Sequence, residues 1–339
     1  MEKRILIISP KVREGAPAFE RVRSFGRFFE SRGIKADYYC ISGKINILSM
    51  INFIIRKKYK NVFLTMPPFR LWMLCFLPGR RVVLDIRDGW SIAMRTGYGG
   101  TTRPRQLKSY IARAIEQFSI TFSDLTITCT PGLTRYHSTY LTERKIAFIP
   151  NGLPEEYYNY VSNMNTYRED VYRGNIKIFI CAGKFSEYGK EKVVKVLNLI
   201  SKRYYEFDCR IELYGADMRA NEWVHEYIRK SGINNITVII KGSLDKYELL
   251  DKIMKSDYGI SIIRDEAYDF GTKIYEYIAC GIPVFDYFTE SDIKEYFGGC
   301  FDTDYNPAVA KLKAKEFVRE RILAQSAKLQ QWLDERFGF

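Results

Sequence analysis

The sequence predicts an α/β protein built from two doubly wound parallel-sheet domains with a C-terminal helix. Three observations carry this reading. Short apolar runs alternate with longer amphipathic stretches along the whole chain, the pattern of parallel strands covered by crossover helices. At 339 residues the chain is too long for one small module and suits two domains. The alternation breaks once, in the polar, Tyr- and Asn-rich stretch 155–175, which reads as a linker. The expected division is 1–155, 156–306 and a helical segment, 307–339, packing back toward the first domain.

Element by element, the front half places strands at 4–8, 36–41, 62–65, 81–86, 125–129 and 146–149, each a short, mostly apolar run. Amphipathic spacing places helices at 17–32, 45–57, 106–122 and 133–141 between them. A second series follows the linker, with strands at 177–182, 210–214, 237–240, 258–263 and 283–285. Helices at 191–204, 222–231, 246–255, 273–280 and 291–297 separate these. The stretch 307–337 is nearly all helix formers and has no strand after it. Between helix candidates, the Gly-rich, basic stretch 90–105 reads as a mobile loop. Two such sheets facing one another would bring the carboxyl ends of their strands to one cleft, where loops and helix N-termini present unpaired amides to a ligand.

Charge separates the two halves. Residues 1–152 hold 26 Lys/Arg against 10 Asp/Glu, whereas residues 153–339 hold 27 against 30. The front half is therefore expected to meet something anionic. Seven scattered cysteines with no CxxC pair fit a reduced, cytoplasmic protein, and two histidines exclude a His-rich metal site. No apolar run reaches the ~18 residues of a membrane span. Two stretches, 45–55 running into Arg56-Lys-Lys-Tyr-Lys60 and 69–78 ending at Arg80-Arg81, combine apolar and basic residues as a membrane surface requires.

The sharpest motif is Phe270-Gly-Thr-Lys-Ile-Tyr-Glu-Tyr-Ile-Ala-Cys-Gly-Ile-Pro-Val284. Gly271 and Thr272 can open a helix, Thr272 as its cap, with free amides for a phosphate. Lys273 can meet diphosphate charge, and Glu276, about one turn in, can accept hydrogen bonds from two vicinal ribose hydroxyls. This stretch resembles the donor-site signature of the GT-B glycosyltransferases, in particular the retaining enzymes of family 4. Three further segments agree in order: Ile180-Cys-Ala-Gly-Lys184 with Gly189-Lys190, Phe148-Ile-Pro-Asn-Gly152, and Leu84-Asp-Ile-Arg-Asp-Gly-Trp90.

The resemblance implies two Rossmann-like domains and transfer of a sugar from a nucleotide-sugar to a glycan hydroxyl, with retention of configuration and without metal or other cofactor. It implies a polyprenyl-diphosphate-linked acceptor in bacterial-type surface polysaccharide assembly, such as lipopolysaccharide or capsule, on the inner face of the cell membrane. Glu276 would hold the donor ribose, and Lys184, with Gly183, would meet the diphosphate. The family's second cation is replaced by Tyr188, with Lys190 two residues later. Its first acidic residue falls on Tyr268, which leaves Asp269 or Glu266 as the nearest carboxylate. Gly15 stands where the family has a glycine pair near the diphosphate, and the Gly242-Ser243-Leu244 loop would read the base.

On the acceptor side, Arg87, Asp88 and Trp90 follow a strand, and Arg21 rides on the first helix. Asp302-Thr-Asp304 comes after the last strand and is read as an acidic loop, not a metal motif. Two alternatives remain open: a non-catalytic glycosyltransferase-like nucleotide- or glycan-binding subunit, and a sugar-nucleotide epimerase or hydrolase on the same fold. A nucleic-acid partner is not expected, since it would leave 270–284 unexplained.

Overall fold

The computed structural model describes all residues except 1–2, 13–15, 43–45, 101, 140–141, 165–173 and 339, and only the backbone of 98–100. The chain divides into two compact units. One holds residues 1–98, 103–151 and 319–339, the other 99–102 and 152–318.

The first unit is a six-stranded parallel sheet in the order β2-β1-β3-β4-β5-β6. The strands are β1 (Arg4–Pro10), β2 (Lys35–Ile41), β3 (Asn61–Met66), β4 (Arg81–Ile86), β5 (Leu125–Thr128) and β6 (Ile146–Phe148). Alternation along β1 shows why both faces are covered. Ile5 and Ile7 face one core with Phe25, Phe29, Leu329 and Trp332; Leu6 and Ile8 face another with Met50, Ile54, Leu71 and Leu74. Helix α1 (Pro17–Ser31) and two C-terminal helices, α14 (Arg319–Gln325) and α15 (Ala327–Phe337), supply the first core. The second draws on α2 (Ile47–Arg56), the 3-10 helix Phe69–Phe76 and α4 (Gln106–Phe122).

The stretch 90–105, expected as a mobile loop, contains a helix, α3 (Trp90–Gly100). The reason lies 26 residues away. The buried Glu116 carboxylate of α4 accepts from the Trp90 amide (2.6 Å), the Ser91 amide (3.2 Å) and the Ser91 hydroxyl, so a side chain from another helix caps α3. The unit also contains α5 (Pro131–His137), capped by Thr130.

The second unit is a four-stranded parallel sheet in the order β10-β7-β8-β9, with β7 (Ile176–Ala182), β8 (Asp208–Tyr214), β9 (Ile236–Lys241) and β10 (Tyr258–Gly259). Where strands were expected at 258–263 and 283–285, only Tyr258–Gly259 pairs as a strand. Val284 adds single bridges to Gly259 and Phe301. The supposed linker 155–175 begins with a helix, α6 (Glu155–Met164), because Tyr157 and Val161 bury into this unit's core. The other helices are α7 (Lys190–Arg203), α8 (Met218–Asn221), α9 (Trp223–Lys230), α10 (Lys246–Met254), α11 (Thr272–Ala279), α12 (Ser291–Phe297) and α13 (Pro307–Glu316). The run 307–337 is thus three helices, of which α13 packs on α11 in the second unit and α14 on α1 in the first.

Candidate active site

In the second sheet, β8 and β9 continue to one side of β7 and β10 lies on the other. The connections leaving β7 and β10 therefore diverge, and in doubly wound sheets ligands bind at the carboxyl ends of strands at such a point. The chain there is unusually constrained. Gly183, just after β7, has φ 126°, and Gly271, before α11, has φ 65°. Both conformations favour glycine. Gly271 is the N-cap residue of α11 and no side chain caps it, so Thr272 is the first helical residue and not the cap. The left-handed backbone at Gly271 turns the chain into the helix one residue earlier than a Thr272 cap would. The Asp269 carboxylate accepts from the Gly271 amide (3.0 Å), fixing that turn.

Glu276 is 5% exposed on α11, and two lysines converge on it. Lys273, one turn earlier, places Nζ 3.0 Å from both carboxylate oxygens. Lys246, the first residue of α10, places Nζ 2.6 Å from Oε1. Lys246 was not expected here from sequence; it follows the 242–244 loop through the Asp245 capping box, which anchors the start of α10. Burial alone would raise the Glu276 carboxyl, but the Lys246 and Lys273 ammonium groups outweigh it and hold the group below the usual carboxylate range. Burial lowers the Lys246 ammonium, an effect that Glu276 opposes and Lys273 reinforces. The cluster is thus two cations around one anion, in a dry setting where charge interactions are strong.

Gly183 borders this cluster, since a Cβ there would lie 4.0 Å from Cε of Lys273. Ser243 lies close to Gly215 at the end of β8, and Gly242 and Ser243 are exposed with Leu244 half-buried. The loop after β7 is held by Glu187. Its carboxylate accepts from the amides of Phe185 (2.8 Å) and Asp217 (3.0 Å), tying the loops after β7 and β8 together. Within that loop, Lys184 sits 5.6 Å from the Tyr188 ring, and Lys190 lies 5.0 Å over Trp223. Lys273 is therefore the sequence-predicted lysine that the structure brings to Glu276. Glu266 accepts from the Thr289 amide and hydroxyl and the Glu290 amide. Asp302 and Asp304 likewise accept from nearby backbone amides, Asp286 for the first and Gly299 and Phe301 for the second. Gly15 lies outside the described residues.

The predicted acceptor-side residues belong to the first unit. Arg21 is 1% exposed and all five of its donors are engaged: Asp85 takes a bidentate pair, and Ile149 O, Pro150 O and Asn151 Oδ1 take the rest. It faces inward and ties α1 to β4 and to the end of β6, so the chemistry it offers is structural. Arg87 donates to Pro67 O (3.2 Å). Trp90 stacks on Phe69, with centroids 5.5 Å apart and planes 11° apart, beside a pocket that Trp72 and Glu116 also line. Asp88 is half-buried at the end of β4. Nearby His137 is fully buried and pushed down to about 3 by that burial and by Arg113, so it stays neutral. Among the described residues no group of three His, Cys, Asp or Glu could hold a metal ion.

No protein-family model matches the chain, and no curated protein does. Solved structures share its architecture. Anabaena HepE in complex with UDP-glucose aligns with TM-score 0.58 and 12% identity over 98% of this chain and 99% of that one. A lipopolysaccharide outer core galactosyltransferase, WaaB, in its apo form aligns with TM-score 0.61 and 12% identity over 97% and 100%. Sucrose-phosphate synthase from Thermosynechococcus elongatus aligns with TM-score 0.61 and 12% identity over 99% and 95%. The fold is therefore the two-domain α/β architecture of GT-B glycosyltransferases.

Proposed function

We propose that this chain transfers a glycosyl group from a nucleoside diphosphate sugar to a hydroxyl of a glycan acceptor. The observation that carries the proposal is the Lys246–Glu276–Lys273 cluster beside Gly183 at the carboxyl end of the second sheet. In this reading Glu276 accepts hydrogen bonds from the ribose hydroxyls of the donor. Lys273 and Lys184 meet the diphosphate, helped by the Thr272 amide at the start of α11. The Gly242–Ser243–Leu244 loop reads the base. Breaking the anomeric C–O bond leaves growing negative charge on the diphosphate, and cations already in place lower that barrier most. Asp269, beside Gly271, is the carboxylate proposed to approach the transferred sugar.

The finer reading is a retaining, metal-independent hexosyl transfer to a polyprenyl-diphosphate-linked acceptor in surface-polysaccharide assembly, on the cytoplasmic face of the cell membrane. The basic front half suits such an acceptor, and Arg87, Asp88 and Trp90 are its proposed contacts. UDP-glucose bound to HepE supports a nucleotide-sugar donor. Glu276→Gln, which keeps shape but removes the charge, and Lys184→Ala should each lower kcat/KM by about 10²–10³, the loss expected when one preorganised electrostatic group is removed. Steady-state transfer to a lipid-linked saccharide, with the donor found by screening nucleotide-sugars, measures this. Wild-type turnover in both variants would falsify the assignment.

A further inference from the structure

Helix α4 is inside out. Its buried face carries Ser109, Ala112, Glu116, Ser119 and Ile120, mostly small or polar. Its outer face carries Leu107, Tyr110, Ile111, Phe118 and Phe122, each between 55% and 75% exposed. Residues 107, 111, 118 and 122 recur at helical spacing, so these side chains form one stripe along the helix. A helix covered only by water would place its large apolar groups the other way round.

The stripe continues sideways. Phe122 meets Phe76 of the 3-10 helix at 4.8 Å, and Met73 of the same turn is also exposed. That turn packs against α2, on which Leu48 and Ile55 are exposed. Contiguous apolar surface rimmed by polar groups marks an interaction face. Between residues 43 and 122 there are fourteen Lys/Arg and only three acidic residues, Asp85, Asp88 and Glu116. Asp85 and Glu116 are buried, so they do little to offset the surface charge.

We infer that this face, with the α4 stripe at its centre, lies on an anionic lipid bilayer. The apolar side chains would enter the headgroup boundary and the lysines and arginines would meet lipid phosphates. A second copy of the chain is the poorer occupant, because two faces this basic repel each other when paired. A bilayer supplies both an apolar interior and fixed negative charge. The inference deepens the membrane part of the proposal above and rests on it only for the lipid-linked acceptor.

The test is co-sedimentation of the full chain with phosphatidylcholine vesicles and with vesicles that also contain phosphatidylglycerol, without donor or acceptor. The wild type should bind the phosphatidylglycerol vesicles, release in high salt and bind pure phosphatidylcholine far more weakly. The double variant Ile111→Ser/Phe118→Ser should lose about tenfold or more of that partitioning, with little change in thermal unfolding because both side chains are mostly exposed. Failure of the wild type to bind, or equal binding by the double variant, overturns the inference. So does a wild-type dimer in solution that the double variant converts to monomer, since the face would then be covered by a second copy. Nucleotide binding plays no part in this assay, so its failure leaves the donor-site proposal standing, and failure of donor binding leaves this one standing.

Discussion

A carboxylate accepts hydrogen bonds from two sugar hydroxyls best when it is ionised and held in one orientation. In this protein the orientation and charge of Glu276 depend on Lys246. Oε1 receives both lysines, whereas Oε2 receives only Lys273 among the described contacts, which leaves Oε2 as the oxygen for the proposed ribose contact. Replacing Lys246 with Met keeps the bulk of the buried stem and removes the ammonium. Burial then raises the Glu276 carboxyl with one fewer cation opposing it. In the wild type the carboxylate, and with it the proposed nucleoside binding, persists to lower pH than an ordinary glutamate allows and is lost as pH falls through the depressed value. Lys246→Met should shift that loss to higher pH. Calorimetric titrations of a nucleoside diphosphate across a range of acidic pH report this, and superimposable acid limbs for wild type and variant would exclude the role. Glu276 and Lys273 were legible in the sequence because they share one helical motif. Lys246 was not, because its approach spans thirty residues and depends on how α10 packs against α11.

At the scale of elements, the pattern of apolar runs located β1 to β9 to within two residues at each end, most plainly in β1, β3 and β4, which are buried on both faces and read as near-continuous Val, Ile, Leu and Phe. It failed where a neighbour decides the structure. Helix α3 has a poor intrinsic start, and Glu116 supplies its cap from another helix. The expected strand at 258–263 is cut short after Gly259, where the α11 side chain Tyr277 intervenes. Its hydroxyl accepts from the Ala182 amide (2.9 Å) and donates to Ile260 O (2.9 Å), joining the end of β7 to the chain beyond β10. A Cβ on Gly259 would fall 2.3 Å from the Tyr277 ring. Gly259→Ala should therefore cost the second unit about 1–3 kcal/mol, the usual range for overpacking. Denaturant unfolding measures it, and a midpoint equal to wild type would show that the ring yields freely.

For the whole molecule, composition separates two kinds of surface. The first unit is basic and carries the apolar face on α2, the 3-10 helix and α4. The second carries the Lys246–Glu276–Lys273 cluster and the glycine-shaped turns around it. Charge segregation was visible in the sequence as a simple count. The outward stripe of α4 was not, because amphipathic spacing shows that a helix has a face and not which way that face points. Arg21 illustrates the same gap: its place on α1 was legible, while its engagement with Asp85 and the 149–151 backbone required the fold. The most direct measurement of the central claim is calorimetric titration of nucleoside diphosphates into the wild type and Glu276→Gln at neutral pH. The account predicts one site on the wild type for at least one diphosphate, weakened about 10- to 100-fold in the variant, as loss of a charged hydrogen-bond acceptor implies. Absence of binding by any nucleoside diphosphate, or equal affinity in the two proteins, would contradict it.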